Sequence, residues 1–349
     1  MLLTRSSSDG TLLFDDFTIP VPAWVFTVST PSTLSQALSS AFASAWEPAV
    51  IAELDALHAM GTWTWPPTRP PPGAKVVNSR FVFKEKLDEH GNHLRYKARL
   101  VAQGFSMVPG LHYNETFAPV VTSASMRLLM LYALQHDLPL ELIDFDNAYL
   151  YADLEEEIWL RLPAGLPGVP AGGCVRLRKG LYGMPQSGRL WGSHLRERLL
   201  SFGLTECTAD PCLFVKYNAT GDVVAIAGCY VDDVQLAGVP SELTALKDFL
   251  REHYKIKELG TTCHLLGVRV DYNREAGTLA LSQPAFIDAL LRKFDMSSAN
   301  PVSTPETSAV LASLARGGGE DDTRVRHGLH LQVPVLRRVP AVDCGLYTP

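Results

Sequence analysis

Cys229-Tyr230-Val231-Asp232-Asp233 stands between two apolar runs, Val223-Val224-Ala225-Ile226-Ala227-Gly228 before it and Val234-Gln235-Leu236-Ala237-Gly238 after it. A continuous apolar run of this length, rich in Val and Ile, predicts a buried strand. Adjacent carboxylates are costly to bury as anions unless a cation accompanies them. The simplest geometry is therefore a hairpin with Asp232 and Asp233 at its tight turn. Taken alone, the acids could simply make that turn and face water.

A second acidic stretch upstream changes the weighing. Leu142-Ile143-Asp144-Phe145-Asp146-Asn147-Ala148-Tyr149-Leu150 alternates apolar and polar residues well enough for a strand, with Asp144 and Asp146 on one face. One carboxylate here and one or two at the hairpin would converge on a pair of divalent cations. Mg²⁺ prefers hard oxygen ligands and shares its shell with substrate phosphates. Two such ions about 4 Å apart clamp both oxygens of a phosphoryl transfer.

These two stretches resemble the polymerase core of reverse transcriptases, and the flanking motifs narrow the resemblance to copia-type long-terminal-repeat retrotransposons. The matching segments are Tyr96-Lys97-Ala98-Arg99-Leu100-Val101-Ala102-Gln103-Gly104-Phe105, Glu115-Thr116-Phe117-Ala118-Pro119-Val120, Leu181-Tyr182-Gly183 through Trp191, and Glu258-Leu259-Gly260. The resemblance runs from about Trp46 to Pro305. It implies an α+β right-hand polymerase with an antiparallel palm sheet, fingers and a partial thumb. It further implies RNA- and DNA-directed DNA synthesis from deoxynucleoside triphosphates on a primed RNA or DNA template. Asp144, Asp232 and Asp233 would be the catalytic acids and hold two Mg²⁺ ions, or Mn²⁺ in their place. Arg99 and Lys97 would hold the triphosphate, and Tyr149 would lie under the incoming sugar, excluding a 2′-hydroxyl. Gln186 would contact nucleotide or template. Family members usually carry Lys-Gln where this chain has Pro185-Gln186, so one positive charge is missing. Tyr230, Val231, Leu266 and Gly267 would contact the primer, the last two from a Gly-containing hairpin.

Composition sets bounds around this reading. A chain of 349 residues with 46% hydrophobic content can bury a sizeable core, as one large or two modest domains. A net charge of −6 excludes a uniformly basic coat, so any nucleic-acid surface must be local. Residues 75–107 hold seven Lys/Arg against three acids, and 175–200 hold six against one, whereas 139–157 hold seven acids and no base. That segregation suits an acidic metal site between phosphate-binding walls; ordinary solvated clusters are the alternative for each window. Lys97 and Arg99, two apart on a strand, share a face and offer a triphosphate one point charge and one bidentate fork. Their alternative task is to keep an edge from pairing. The six cysteines show no Cys-x-x-Cys pair, which fits reduced thiols. No uncharged apolar run reaches transmembrane length, and polar residues follow Arg5 where a signal peptide needs its apolar core. The expectation is a soluble intracellular chain, cytoplasmic or nuclear.

Along the chain, residues 1–38 are expected to be an unstructured or loosely packed leader. Trp46, Val50, Leu54 and Leu57 recur at helical spacing, with Pro48 suited to a first turn. Residues 76–105 predict a hairpin turning at Glu89-His90-Gly91-Asn92. Ser123 to Gln135 predicts a helix capped near Thr122 or Ser123. Asp153 to Glu157 reads as a solvated acidic turn. Glu242 to Tyr254 predicts a helix ended by Glu258-Leu259-Gly260, and Phe286 to Phe294 a final helix. The polymerase segment spans 39–305. Residues 306–349 form an irregular tail, expected to be read out of frame from about Ala315, where related chains continue toward a ribonuclease H domain. A rival reading is an inactive retrotransposon relic that keeps nucleic-acid binding or only the fold.

Overall fold

Burial that alternates along some strands and is continuous along others separates two kinds of sheet. The computed structural model describes residues 11–14, 17–20, 30–39, 43–87, 92–166, 168–261, 263–299 and 335–337. The chain divides into two compact units, Met1–Phe117 with Tyr149–Trp191, and Ala118–Ala148 with Gly192–Pro349.

In the first unit β1 (Thr11–Phe14) pairs with β2 (Phe17–Pro20). Helix α1 (Leu34–Ser39) buries Leu34 and Ala37, so part of the expected leader belongs to the core. Helix α2 (Ala43–Ala59) buries Trp46, Val50 and Leu57 as the spacing predicts. Pro48 sits inside it rather than in its first turn. The missing N–H costs a backbone bond there, and burial of Trp46 and Val50 on either side, worth about 1.5–3 kcal/mol for each large apolar side chain, offsets it. Trp46 packs edge-on against Phe83 at 5.3 Å and against Tyr96 at 4.5 Å. Strands β3 (Val76–Leu87) and β4 (His93–Ala102) form the expected hairpin. Phe81, Phe83, Ala98 and Leu100 face inward, and the expected turn at 89–92 lies almost wholly outside the described residues. Strand β6 (Trp159–Arg161) pairs parallel with β3, and β7 (Cys174–Arg176) antiparallel with β6.

In the second unit helix α3 (Ser123–Gln135) is capped by Thr122, whose Oγ1 accepts from the Ser125 N–H at 3.1 Å. It leads into β5 (Leu140–Phe145). Helix α4 (Ser187–Ser201) carries the chain onward to β8 (Thr205–Cys207), β9 (Asp210–Tyr217), β10 (Val223–Tyr230) and β11 (Asp233–Gly238). Helix α5 (Pro240–His253) follows, then β12 (Ile256–Gly260). The sheet order is β12-β5-β11-β10-β9-β8, antiparallel throughout. Both α3 and α5 pack against β10 and β11, which explains why those two strands read as unbroken apolar runs. Glu258-Leu259-Gly260 belongs to an edge strand, not a helix end: α5 stops at His253, and β12 begins at Ile256 and pairs with β5. A second sheet has the order β13 (Cys263–Leu265), β14 (Val268–Asn273), β15 (Thr278–Ser282) and β16 (Val335–Arg337), with α6 (Pro284–Lys293) after β15. The rest of the tail after 299 lies outside the described residues. Among the described residues no helix is long and apolar enough to cross a membrane.

Candidate active site

Tyr230 pairs with Asp233 at the end of the β10–β11 hairpin, so the loop is Val231-Asp232, one residue earlier than expected. Val231 has φ 55°, a left-handed conformation that a β-branched residue adopts only under strain. The shift has a consequence for Asp233. As the first residue of β11 it lies directly opposite Asp144 on β5. The N–H of Phe145 donates to the carbonyl of Asp232 at 3.0 Å, fixing the loop against the same strand. The three acids expected to act together are thus brought to one end of one sheet. Burial, followed by the neighbouring carboxylates of Asp232 and Asp144, pushes the Asp233 carboxyl up to about 6.

On the other side of β5, Lys257 of β12 occupies the position opposite Asp144. Its Nζ lies 3.7 Å from Asp144 Oδ2 and bonds Asp146 Oδ1. Asp146 falls just past the strand end, where Lys255 also approaches its Oδ2 at 3.7 Å. Lys257 is the residue sequence reasoning missed, because the segment carrying it was expected to terminate a helix. Among the described residues no three His, Cys, Asp or Glu side chains are gathered into a group that could hold a metal ion. The three carboxylates feel one another without closing on a common point. Their donor chemistry, hard oxygens from adjacent positions with mutual repulsion to relieve, fits a divalent oxygen-seeking cation.

The first unit places Lys97 and Arg99 on the face of the β3–β4 hairpin away from its core. The register sets Val82 opposite Arg99, Lys84 opposite Lys97 and Lys86 opposite Arg95, with Arg80 on the same face. Like charges directly opposite each other destabilise a ladder. Burial, together with the cations of Arg99 and Arg95, lowers the Lys97 ammonium to about 8. Arg99 lies over the Tyr182 ring, 5.0 Å from its centroid, and Tyr182 in turn packs against Tyr149 at 4.8 Å. Two of the expected nucleotide residues therefore share one aromatic partner. The Nε of Arg99 is buried with no hydrogen-bond partner among the described residues. Tyr149 is half-buried in a 3₁₀ turn, Ala148–Tyr151, that follows a left-handed Asn147 at φ 57°.

Two glycines explain how Tyr182 is held. The carbonyl of Tyr182 accepts from the Ala102 N–H at 2.8 Å. A Cβ on Gly183 would stand 2.2 Å from the Ala102 carbonyl oxygen, and one on Gly104 would stand 2.0 Å from that of Gly183. The Gln103-Gly104 and Leu181-Tyr182-Gly183 motifs are thus two sides of one close backbone contact. Gln186 is fully buried, its Nε2 donating to the His112 carbonyl at 3.2 Å and to Glu156 at 3.4 Å. With no exposed surface it is not presented to a nucleotide or template. The basic window at 175–200 is largely paired: Lys179 with Asp153 at 2.8 Å, Arg189 with Glu155 at 3.1 Å, Arg176 with Glu157 at 3.7 Å and Arg196 with Glu206 at 2.5 Å. The acidic turn at 153–157 is therefore a set of ion-pair partners rather than merely solvated. Leu266 and Gly267, at φ 54° and 74°, form the two-residue turn between β13 and β14, as the hairpin reading requires. Leu266 also lines a cavity of about 210 Å³ with Met126, Met130 and Leu281.

Residues 62–308 match the family model described as "Reverse transcriptase (RNA-dependent DNA polymerase)". The chain is 33% identical over 293 residues to the retrovirus-related Pol polyprotein from transposon RE2 of Arabidopsis thaliana, covering 83% of this chain and 19% of that protein. It is 34% identical over 292 residues to that from transposon RE1 of the same plant, with the same coverages. A third relative, from transposon TNT 1-94 of Nicotiana tabacum, is 33% identical over 277 residues, 79% of this chain and 21% of that one. The chain thus spans about a fifth of the length of these curated relatives. A solved foamy viral protease-reverse transcriptase, in complex with double-stranded DNA, aligns with 77% of this chain and 39% of its own at 14% identity and a TM-score of 0.39, too distant to add weight. The family match over more than half of the chain, in agreement with the motifs, decides the matter: the chain belongs to the reverse transcriptase family, in its copia-type retrotransposon branch.

Proposed function

We propose that the chain is a template-directed DNA polymerase, transferring nucleotides from deoxynucleoside triphosphates to a primer 3′-hydroxyl on RNA or DNA. In right-hand terms, the sheet bearing Asp144 is the palm, the β3–β4 hairpin belongs to the fingers, and the segment from β13 onward begins a thumb. The observation that carries this reading is the row in which Asp233 stands opposite Asp144, with Asp232 beside it. Asp144, Asp232 and Asp233 would hold two divalent cations, Mg²⁺ by the hardness of the donors, and bound cations of that kind neutralise charge and activate the attacking hydroxyl.

The remaining work falls to side chains that position and neutralise. Arg99, braced on Tyr182 with a buried donor left over, supplies the fork for a triphosphate, and Lys97 the point charge. Arg80, Lys84 and Arg95 extend that face into a track for phosphates, which would relieve the cross-strand repulsion. Tyr149, against the same tyrosine, is assigned to the sugar, and Tyr230, Val231, Leu266 and Gly267 to the primer. Gln186 is assigned to holding its loop. The test is extension of a labelled DNA primer on an RNA template by the purified chain. The reading predicts template-dependent extension that stops on chelation; no extension on RNA or DNA templates would overturn it.

A further inference from the structure

The row of residues at the active end of the sheet reads Lys257, Asp144, Asp233 across β12, β5 and β11: one cation and two acids. β12 is an edge strand of five residues. A one-residue slip of such a strand would turn Lys257 to the other face of the sheet. What fixes its register lies on that other face. Lys247 of α5 is buried, and its Nζ stands 2.6 Å from Glu141 Oε2 on β5 and 2.8 Å from Glu258 Oε2 on β12. Arg251, one turn further along α5, also bonds Glu258. Glu258 follows Lys257 directly, so alternation along the strand puts the two side chains on opposite faces. Clamping Glu258 beneath the sheet therefore presents Lys257 to Asp144 above it.

We propose that Lys257 is a tethered counter-cation of the acid row, held in register by the Lys247–Glu141–Glu258 network, and that the first divalent cation to bind Asp144 must displace it. The proposal rests on the reading of the acids as a metal site. It gives Asp144 a cationic partner in the metal-free chain. It also gives Glu258-Leu259-Gly260 a physical task. Lys257 and Lys247 are positioning residues here, acting through the carboxylates they touch.

The test is Mn²⁺ binding to the full chain, measured by electron paramagnetic resonance, for the wild type, Lys257→Met and Asp233→Asn. Lys257→Met should tighten Mn²⁺ binding about tenfold, and Lys257→Arg, which keeps the charge, should leave it near the wild-type value. A second variant guards against misfolding: Lys247→Met, Glu141→Gln and Glu258→Gln together remove the network while Arg251 keeps Asp248 as its partner, and should tighten binding in the same direction. Displacement is read separately from the ¹⁵N resonance of the Lys257 ammonium in Asp146→Asn, which removes its other acidic partner; it should move toward that of a free lysine as Mg²⁺ saturates. Unchanged or weaker Mn²⁺ binding in Lys257→Met, or a resonance unmoved at saturating Mg²⁺, overturns the proposal while leaving the metal site intact. Wild-type binding that Asp233→Asn does not weaken would overturn the metal site itself.

Discussion

The two basic windows of this chain have similar sequence composition and opposite surroundings. In 175–200 the lysine and arginines mostly face acids: Lys179, Arg189, Arg176 and Arg196 each have a carboxylate within ion-pair distance. In 75–107 the strand register stacks Lys84 against Lys97 and Lys86 against Arg95, and the one acid that acts on Lys97 and Arg99, Glu53, does so without forming an ion pair with either among the described residues. Charge counts could not separate these windows, because three of those four partners lie in a short turn at 153–157 that only the fold brings near. A cationic surface that repels itself is the one with something left to bind. The acid row of the second unit follows the same logic with the sign reversed, and there a lysine partly answers it.

The largest expected effect breaks the acid row. Asp144→Asn should reduce primer extension on the order of a thousandfold, since a carboxylate that holds a cation underwrites several kcal/mol of charge stabilisation. Circular dichroism should show the fold retained; extension within tenfold of wild type would reduce Asp144 to a strand residue. Next comes the glycine contact that braces the cationic face. Gly183→Ala would drive a Cβ into the Ala102 carbonyl and should cost about 2–4 kcal/mol of stability, read by urea unfolding. An unchanged midpoint would mean that Tyr182 is not held as described.

Tyr149→Val sharpens the assignment of the Arg99–Tyr182–Tyr149 group. If the ring stands under the sugar, discrimination against ribonucleotides should fall at least about tenfold, a change of ~1.4 kcal/mol, while deoxynucleotide use drops modestly. Equal loss with both substrates, alongside lower stability, would make Tyr149 a packing residue. The two windows themselves part on salt. Lys84→Ala should reduce the slope of log affinity for primer-template against log salt by about 0.7–0.9. Arg176→Ala, whose partner is Glu157, should leave that slope unchanged. Equal slopes in both variants would erase the distinction drawn between the windows.

The smallest effect is on stability with pH. The Asp233 carboxyl is raised to about 6 in the folded chain, so it contributes stability that is fully present below about 4 and is lost as pH rises through 6. Discounted for screening at a half-exposed position, this amounts to about 1 kcal/mol. Thermal melts with chelator present should show that decline between pH 4 and 7, and Asp233→Asn should flatten it.

Much of the second unit was legible because its signals are local. The apolar runs around Tyr230-Val231-Asp232-Asp233 predict a buried strand pair and form one, and the helix expected over Ser123 to Gln135 buries Met126, Leu129, Met130 and Ala133 on one face. Other features depend on partners far along the chain. Gln186 looked available for contact until burial under His112 and Glu156 removed its surface. Lys257 was hidden because an edge strand of five residues with adjacent Lys and Glu and little burial resembles the frayed end of the helix before it. Pro48 contradicts a local rule, and packing of Trp46 overrides that rule.

The central claim is that Asp232 and Asp233 act as metal-holding acids rather than as polar furniture of a strained turn. One measurement addresses it most directly: extension of a DNA primer on an RNA template by the wild type and by Asp232→Asn, side by side, at equal folded fraction. The account predicts extension by the wild type and none detectable by Asp232→Asn, with both proteins melting within a few degrees of each other. Comparable extension by the two would contradict it.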